Sequence, residues 1–594
     1  MSAQSAIFNP SQTTSAASGD GFSVPRLTTT GRLAITFTAA DKGMMVYDTT
    51  LNNLFIWNGS AWESVPASGD STNTQVIFND NGILAGDAGL LYDKTVQKFT
   101  VSGNIDIWGG AADDGTNIAV GFNSQASAVA GSATRNTTVG YLSGRYITTG
   151  TDTVAVGYGA LQASNANPLT GGNNTAIGND AGLTISSGGS NTAIGKSALR
   201  SNQTSNNNTA IGANSLLSAT GGDNVGCGSA SLLYTTTGAA NACVGTLAGS
   251  GITTGSGNVA IGSDALSTSG SPTFHTCSNT IAIGNSALYS SNIISGNGNI
   301  GIGQNTLRTL SSGASNVAVG TSALNKNDTG SNSTAVGVGA LSNSTASQNQ
   351  AFGAFAGNAI TTGPNNIAVG YAAMSTSGAG VHTGGQNVMI GHLAGYSFTS
   401  ISGSDNVGVG QNVFRNLSTG SNNVAIGQGT LNNVNSGSNN VAIGVNAGGA
   451  IQTGNGIVAI GNGAATINTG NDNVAIGVNS LASNTSGTGQ TAVGRQALNL
   501  ATGSNNTAFG TNAGANITTG TNNICIGVSS NTPGPAAVNE LVIGGTTAFV
   551  ATNGGATTYF ATASAGAVAL PAASLGFIRI YLNGSYVKLA VYGN

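Results

Sequence analysis

The chain has 594 residues, of which 93 are glycine and only 6% are charged, and its formal net charge is −4 at pH 7. That balance, with no basic cluster, argues against a nucleic-acid partner, and four scattered cysteines are too few for a disulfide framework. No run reaches the roughly 18 apolar residues of a membrane helix and no charged-then-apolar leader follows Met1, so neither membrane insertion nor a secretion signal is expected.

In chain order, residues 1–21 are rich in Ser, Ala and Gln without a period, and are expected to be mobile unless docked on a particle. Residues 22–70 read as a small β-hairpin module. Pro25-Arg26-Leu27-Thr28-Thr29 precedes Tyr47-Asp48-Thr49-Thr50 and Trp57-Asn58-Gly59-Ser60-Ala61-Trp62, and Asn52-Asn53 and Asn58-Gly59 mark two hairpin turns. Residues 71–110 hold three more apolar runs, around Ile77, Leu91 and Thr100, and read as a β connector.

Residues 111–545 are organised by repetition. Ser421-Asn422-Asn423-Val424-Ala425-Ile426-Gly427 returns as Asn439-Asn440-Val441-Ala442-Ile443-Gly444 and in looser forms throughout. With the closing glycine as marker there are 25 copies from Gly121 to Gly544, and 14 of the 24 spacings are 17 residues. A fixed short period is the signature of a stacked architecture. In an extended chain Val and Ile share one face while Ala and Gly share the other, where something must come close. An Ala-Leu or Ala-Gly pair follows, as in Ala265-Leu266, Ala340-Leu341 and Ala447-Gly448. Burial of two to four small aliphatic side chains in one coil is worth roughly 5–8 kcal/mol, against about 1–2 kcal/mol of backbone ordering for each residue. A lone coil cannot fold. Stacked at about 4.8 Å, 24 intervals span about 115 Å. The fold class is therefore all-β, a parallel β-roll or β-solenoid of about 25 coils.

Long spacings begin after Gly157, Gly262 and Gly370, about six coils apart, which implies duplication of a six-coil block. His275 and His382 occupy equivalent places after the second and third, and are expected on loops that project from the rod. His275 and Cys277 are zinc-type ligands if three chains converge, but the plainer reading is an incidental surface histidine, with no metal. Cys227 stands at the motif Ile and Cys243 at the motif Ala, so they face opposite sides, and the four thiols read as small buried side chains.

Residues 546–594 leave the repeat. Pro571 marks a break, and Asn583-Gly584 between two alternating runs signals a hairpin. That hairpin is expected to cap the open edge of the last coil. Arg579, Tyr581, Tyr586 and Tyr592 are its candidates for receptor contact.

Two resemblances follow. The Asn-x-Val-Ala-Ile-Gly-x-x-Ala repeat resembles the head repeat of trimeric autotransporter adhesins of the YadA-like type, although its main period of 17 is longer. That likeness implies three rolls packed about one axis, and the Ala/Gly face, where something must come close, is the side expected to carry that packing. The Pro-Arg-Leu-Thr-Thr and Trp-Asn-Gly-x-x-Trp elements resemble a small β module of tailed-phage fibre and appendage proteins, and residues 74–110 resemble the connectors of such fibres.

For chemistry the roll offers only scattered acids such as Asp152, Asp180, Asp264 and Glu540, about two or more coils apart apart from Asp113-Asp114. Glycoside hydrolysis needs two carboxylates within about 10 Å, so no enzyme and no cofactor is expected. Thr253-Thr254 and Thr361-Thr362 recur too irregularly for an ice-binding array. The reading is a homotrimeric phage tail fibre of the virion, bound through its N-terminal part to a tail or baseplate protein and touching a host surface glycan or protein. A bacterial trimeric surface adhesin is the alternative.

Overall fold

The computed structural model describes residues 24–65, 73–80, 83–93, 98–101, 116–127, 132–268, 274–544, 549–552, 576–582 and 585–591. The chain divides into two compact units, residues 1–120 with 128–137, and residues 121–127 with 138–594.

In the first unit, β1 (Arg26–Leu27), β2 (Met45–Asp48), β3 (Asn53–Trp57) and β4 (Trp62–Ser64) form one sheet in that order. β1 lies parallel to β2, and the other pairs are antiparallel hairpins. The two expected turns are present: Asn52 (φ 51°) and Gly59 (φ 99°) take the left-handed conformations that close them. A five-residue helix, α1 (Thr29–Leu33), was not foreseen; Thr28 caps it by accepting the Gly31 N–H. The helix carries Arg32 into the module, where Nε donates to Asp48 at 2.9 Å and the guanidinium lies 3.7 Å from the Phe55 ring centroid. Asp48 also accepts from the Thr29 hydroxyl and from the Thr50 and Leu51 N–H groups. Burial pushes its carboxyl up, but these hydrogen bonds outweigh it and hold the pKa at about 2. The Arg-Leu-Thr-Thr and Tyr-Asp-Thr-Thr phrases are thus two halves of one polar cluster. Phe37, Trp57 and Trp62 pack beside it with centroids 5.0–5.7 Å apart. β5 (Asn73–Asp80), β6 (Ile83–Asp93) and β7 (Lys98–Val101) make a second, antiparallel sheet.

The second unit is dominated by a ladder. From Val154–Val156 to Glu540–Ile543, each short strand pairs in parallel with the next, motif residue on motif residue. Four left-handed corners shape a typical coil: Asn422 (φ 60°), Gly427 (φ 129°), Gly429 (φ 64°) and Leu431 (φ 47°). The closing glycine is required for closeness as well as conformation. A Cβ on Gly427 would lie 2.7 Å from the Gly444 carbonyl oxygen.

The interior holds the strand Ala, as in Ala425 and Ala442, and the corner pair expected from the sequence, as in Ala265-Leu266 and Ala340-Leu341. Beside it runs a column of buried asparagines. Asn423 Nδ2 donates to Asn406 Oδ1 (3.0 Å) and to the Gly437 carbonyl (2.9 Å), and its Oδ1 accepts the Asn440 N–H at 3.0 Å. One side chain thereby ties three coils together.

Candidate functional site

The surface of the roll follows from its alternation. Since Ala points inward, Val and Ile point out. At the position before the closing glycine, every coil from Val139 to Ile543 carries Val, Ile, Phe or, once, Cys227. Ile211, Ile261, Ile426 and Phe509 are 40–59% exposed in the single chain. The residue two places earlier, in most coils Val, Ile or Thr, runs beside them and is mostly half-buried. This is a correction. The Ala/Gly face was the one assigned to packing between chains, but it fills the coil interior and the β-branched face lies open. The reason is width: beside a Leu corner the narrow coil leaves room for little more than a methyl group, and a larger inward residue such as Met389 is buried where the corner is Gly395. The stripe is a run of exposed or half-exposed apolar side chains repeated on every coil, unlike the singly scattered hydrophobics of an ordinary surface.

The motif Asn facing the coil is likewise inside, so it offers nothing to a ligand; only its neighbour in the left-handed corner is at the surface. Asn505, Asn522 and Asn539, for example, form an outer ladder with Nδ2 to Oδ1 distances of 3.1 Å.

His275 and His382 are not on projecting loops. Both imidazoles are fully buried. Each occupies a place in the aliphatic column: His275 bridges to Ile252, and His382 to Ile360 and Ile401, as Leu169 does to Ile147 in the first block. Their Nδ1 atoms accept the N–H of Ile294 (3.1 Å) and of Ile401 (3.2 Å). Burial pushes both pKa values down to about 4. Cys277, expected in a loop, is also buried, and burial raises its thiol to about 11. All four cysteines are free, and Cys227 alone is half-exposed, on the apolar stripe. Among the described residues, no three His, Cys, Asp or Glu side chains come together as metal ligands. Asp152, Asp180, Asp223, Asp264, Asp405 and Asp472 all take φ of 54–61°, as corner residues.

At the far end, the last motif strand pairs antiparallel with Phe549–Thr552, which covers its open edge. The hairpin expected there exists, with Gly576–Leu582 on Ser585–Val591, but its strands pair with each other and do not form the cap. Arg579, Tyr581 and Tyr586 lie on these strands, Tyr581 opposite Tyr586. Pro571 and Tyr592 fall outside the described residues.

The sequence reading missed a column of aromatic rings. Phe122, Tyr141 and Tyr158 each directly follow a closing glycine and stack on one another, with centroids 5.6 and 5.4 Å apart and planes 13° apart. Their shared place in the repeat was the available signal. No helix among the described residues is long and apolar enough to cross a membrane.

Residues 4–76 match the family model described as a phage tail like trimerisation region. That region ahead of a long β-solenoid fits a phage tail fibre, and supports a homotrimer and a place in the virion. No curated protein and no solved structure matches the chain.

Proposed function

We propose that the chain is the structural, non-enzymatic subunit of a phage tail fibre. Three copies join through the N-terminal module, residues 111–545 form a stiff shaft, and the fibre makes reversible contact with the host surface. The N-terminal part docks on a tail or baseplate protein. The observation that carries this reading is the trimerisation-region match at residues 4–76 on the same chain as a long apolar stripe of mainly Val and Ile. A trimerised N-terminus places three identical stripes side by side, and the copies shield them from water through the shaft. A parallel roll suits the task because its backbone hydrogen bonds run along the axis, so load is shared by every coil. Reversible contact follows from many weak contacts along a rigid rod.

The test is the mass of the purified full-length protein by light scattering, with host cells mixed in a parallel sedimentation assay. Three times the chain mass of 57.8 kDa and co-sedimentation with cells support the reading. A single-chain mass contradicts it.

A further inference from the structure

The two long coils after Gly262 and Gly370 are built alike beyond their histidines. Tyr289 and Arg308 each lie five residues after a closing glycine, and Tyr396 and Arg415 repeat them 107 residues later. The backbone repeats with them. Ser290 Oγ accepts the Asn292 N–H and Ser397 Oγ the Thr399 N–H, both at 3.1 Å. The next residue that each loop sends inward is held by the buried histidine, through Ile294 to His275 and Ile401 to His382. Each imidazole therefore pins from inside a loop whose outside is apolar: Ile293 is 52% exposed and Phe398 55%.

Beside each loop stands a guanidinium. Arg308 Cζ lies 6.0 Å from the Tyr289 ring centroid, and Arg415 Cζ lies 5.3 Å from that of Phe398, which meets Tyr396 edge-on at 6.0 Å. The ion pair found among the described residues is Arg32 with Asp48, so neither arginine has a carboxylate partner there. Arg415 Nε is buried without a hydrogen-bond partner. Both arginines follow the Leu307 or Phe414 corner, beyond the turn that ends the Val/Ile stripe, so packing of stripes leaves them free.

We propose that Tyr289 with Arg308, and Tyr396 with Phe398 and Arg415, are two related subsites for an anionic saccharide, six coils or about 29 Å apart on each chain; Ser291 stands where the second has Phe398. The proposal rests on the host-contact reading and names its ligand class. Aromatic rings offer an apolar face to the C–H groups of a sugar, and an unpaired guanidinium matches a carboxylate or phosphate bidentately. Each patch is only two or three side chains wide. That suits one or two sugar units and falls well short of the roughly 800 Å² that a protein partner needs on each side. Six such subsites on a trimer would turn weak single contacts into firm attachment by avidity.

The test uses the full-length protein on an array of bacterial surface polysaccharides: uronate-bearing capsules, phosphate-bearing teichoic acids and neutral glucans. Retention on an anionic class and not on neutral glucans is expected, weakening with salt, and the class retained tells carboxylate from phosphate. The double variant Arg308→Ala/Arg415→Ala should bind at least tenfold more weakly at unchanged trimer mass and melting temperature, and Arg308→Lys/Arg415→Lys only partly so. Absence of retention on every anionic polymer, or unchanged binding by the alanine variant, overturns the proposal. So does attachment to cells that is lost on protease treatment of those cells, which identifies a protein receptor. Equal adsorption of wild type and variant to cells removes the subsites and leaves the fibre intact; a monomeric wild type removes the fibre reading itself.

Discussion

A Cβ added to Gly448 would lie 2.8 Å from Cδ1 of Ile451, three residues on, and 2.6 Å from Cδ2 of Leu431 in the preceding coil. The same pairing recurs as Gly144 with Ile147, Gly182 with Ile185, Gly249 with Ile252, Gly357 with Ile360 and Gly514 with Ile517. Where the corner is Leu instead, as in Leu199, Leu216 and Leu498, the residue three further on is Asn202, Ala219 and Ala501. In these coils one large side chain fills the interior, supplied from either place, whereas Leu307 with Leu310 and Phe414 with Leu417 bury both.

That exchange is testable. Ile451→Ala should cost about 2–5 kcal/mol as a buried cavity, and Gly448→Leu alone should overpack the coil by about 1–3 kcal/mol. The double variant should be less destabilised than the sum by more than about 1 kcal/mol. Hydrogen exchange at the neighbouring coils reads this directly; additive effects would sink the idea.

The asparagine column predicts a sharp contrast between adjacent residues. Asn423→Ala strands the Asn440 N–H and the Gly437 carbonyl in a buried setting, at roughly 1–3 kcal/mol for each group left unmade. Asn422→Gly keeps the left-handed corner and should change stability by only a few tenths. Urea titration of the two variants checks the difference.

The buried histidines predict acid sensitivity. Their folded pKa values of about 4 lie below the ordinary 6.5, so the unfolded chain binds more protons between those limits. Stability is then complete above pH 6.5 and falls as the pH drops towards 4, by roughly 3 kcal/mol for each imidazole. His382→Leu, which copies Leu169 of the first block, should flatten that slope between pH 6.5 and 4. An unchanged slope in thermal melts would count against a neutral, buried imidazole at this place in the aliphatic column.

The N-terminal module responds in a lower window. Asp48 is held at about 2, below its ordinary value near 4, so its contribution is present above pH 4 and lost as the pH falls towards 2. Asp48→Asn should remove that dependence and free Arg32, seen as a Trp57 and Trp62 fluorescence change at neutral pH.

Period and alternation made the ladder legible from sequence, because a parallel stack of this kind aligns identical residues and the closing glycine marks every coil. The hairpins at Asn52, Gly59 and Asn583-Gly584 were legible for the same local reason. Which face is inside was not, since alternation alone states only that Ala and Ile oppose each other; the narrowness of the coil decides it. His275 and His382 were misplaced because a longer spacing suggests a projecting loop, whereas the insertion carries a neutral imidazole into the place of an aliphatic. The paired arginines were hidden by spacing, as 107 residues separate copies that only the coil count aligns.

The central claim is that the Val/Ile stripe is sealed between chains. The measurement is maleimide labelling of native full-length protein carrying Ile426→Cys, in a Cys227→Ser background, beside Thr419→Cys as an exposed reference. Ile426 is 41% exposed in the single chain, so an unsealed stripe would label nearly as fast as the reference. With the stripe sealed, the thiol at 426 stays unreactive until denaturant is added; rapid labelling of the native protein would show the stripe open to solvent.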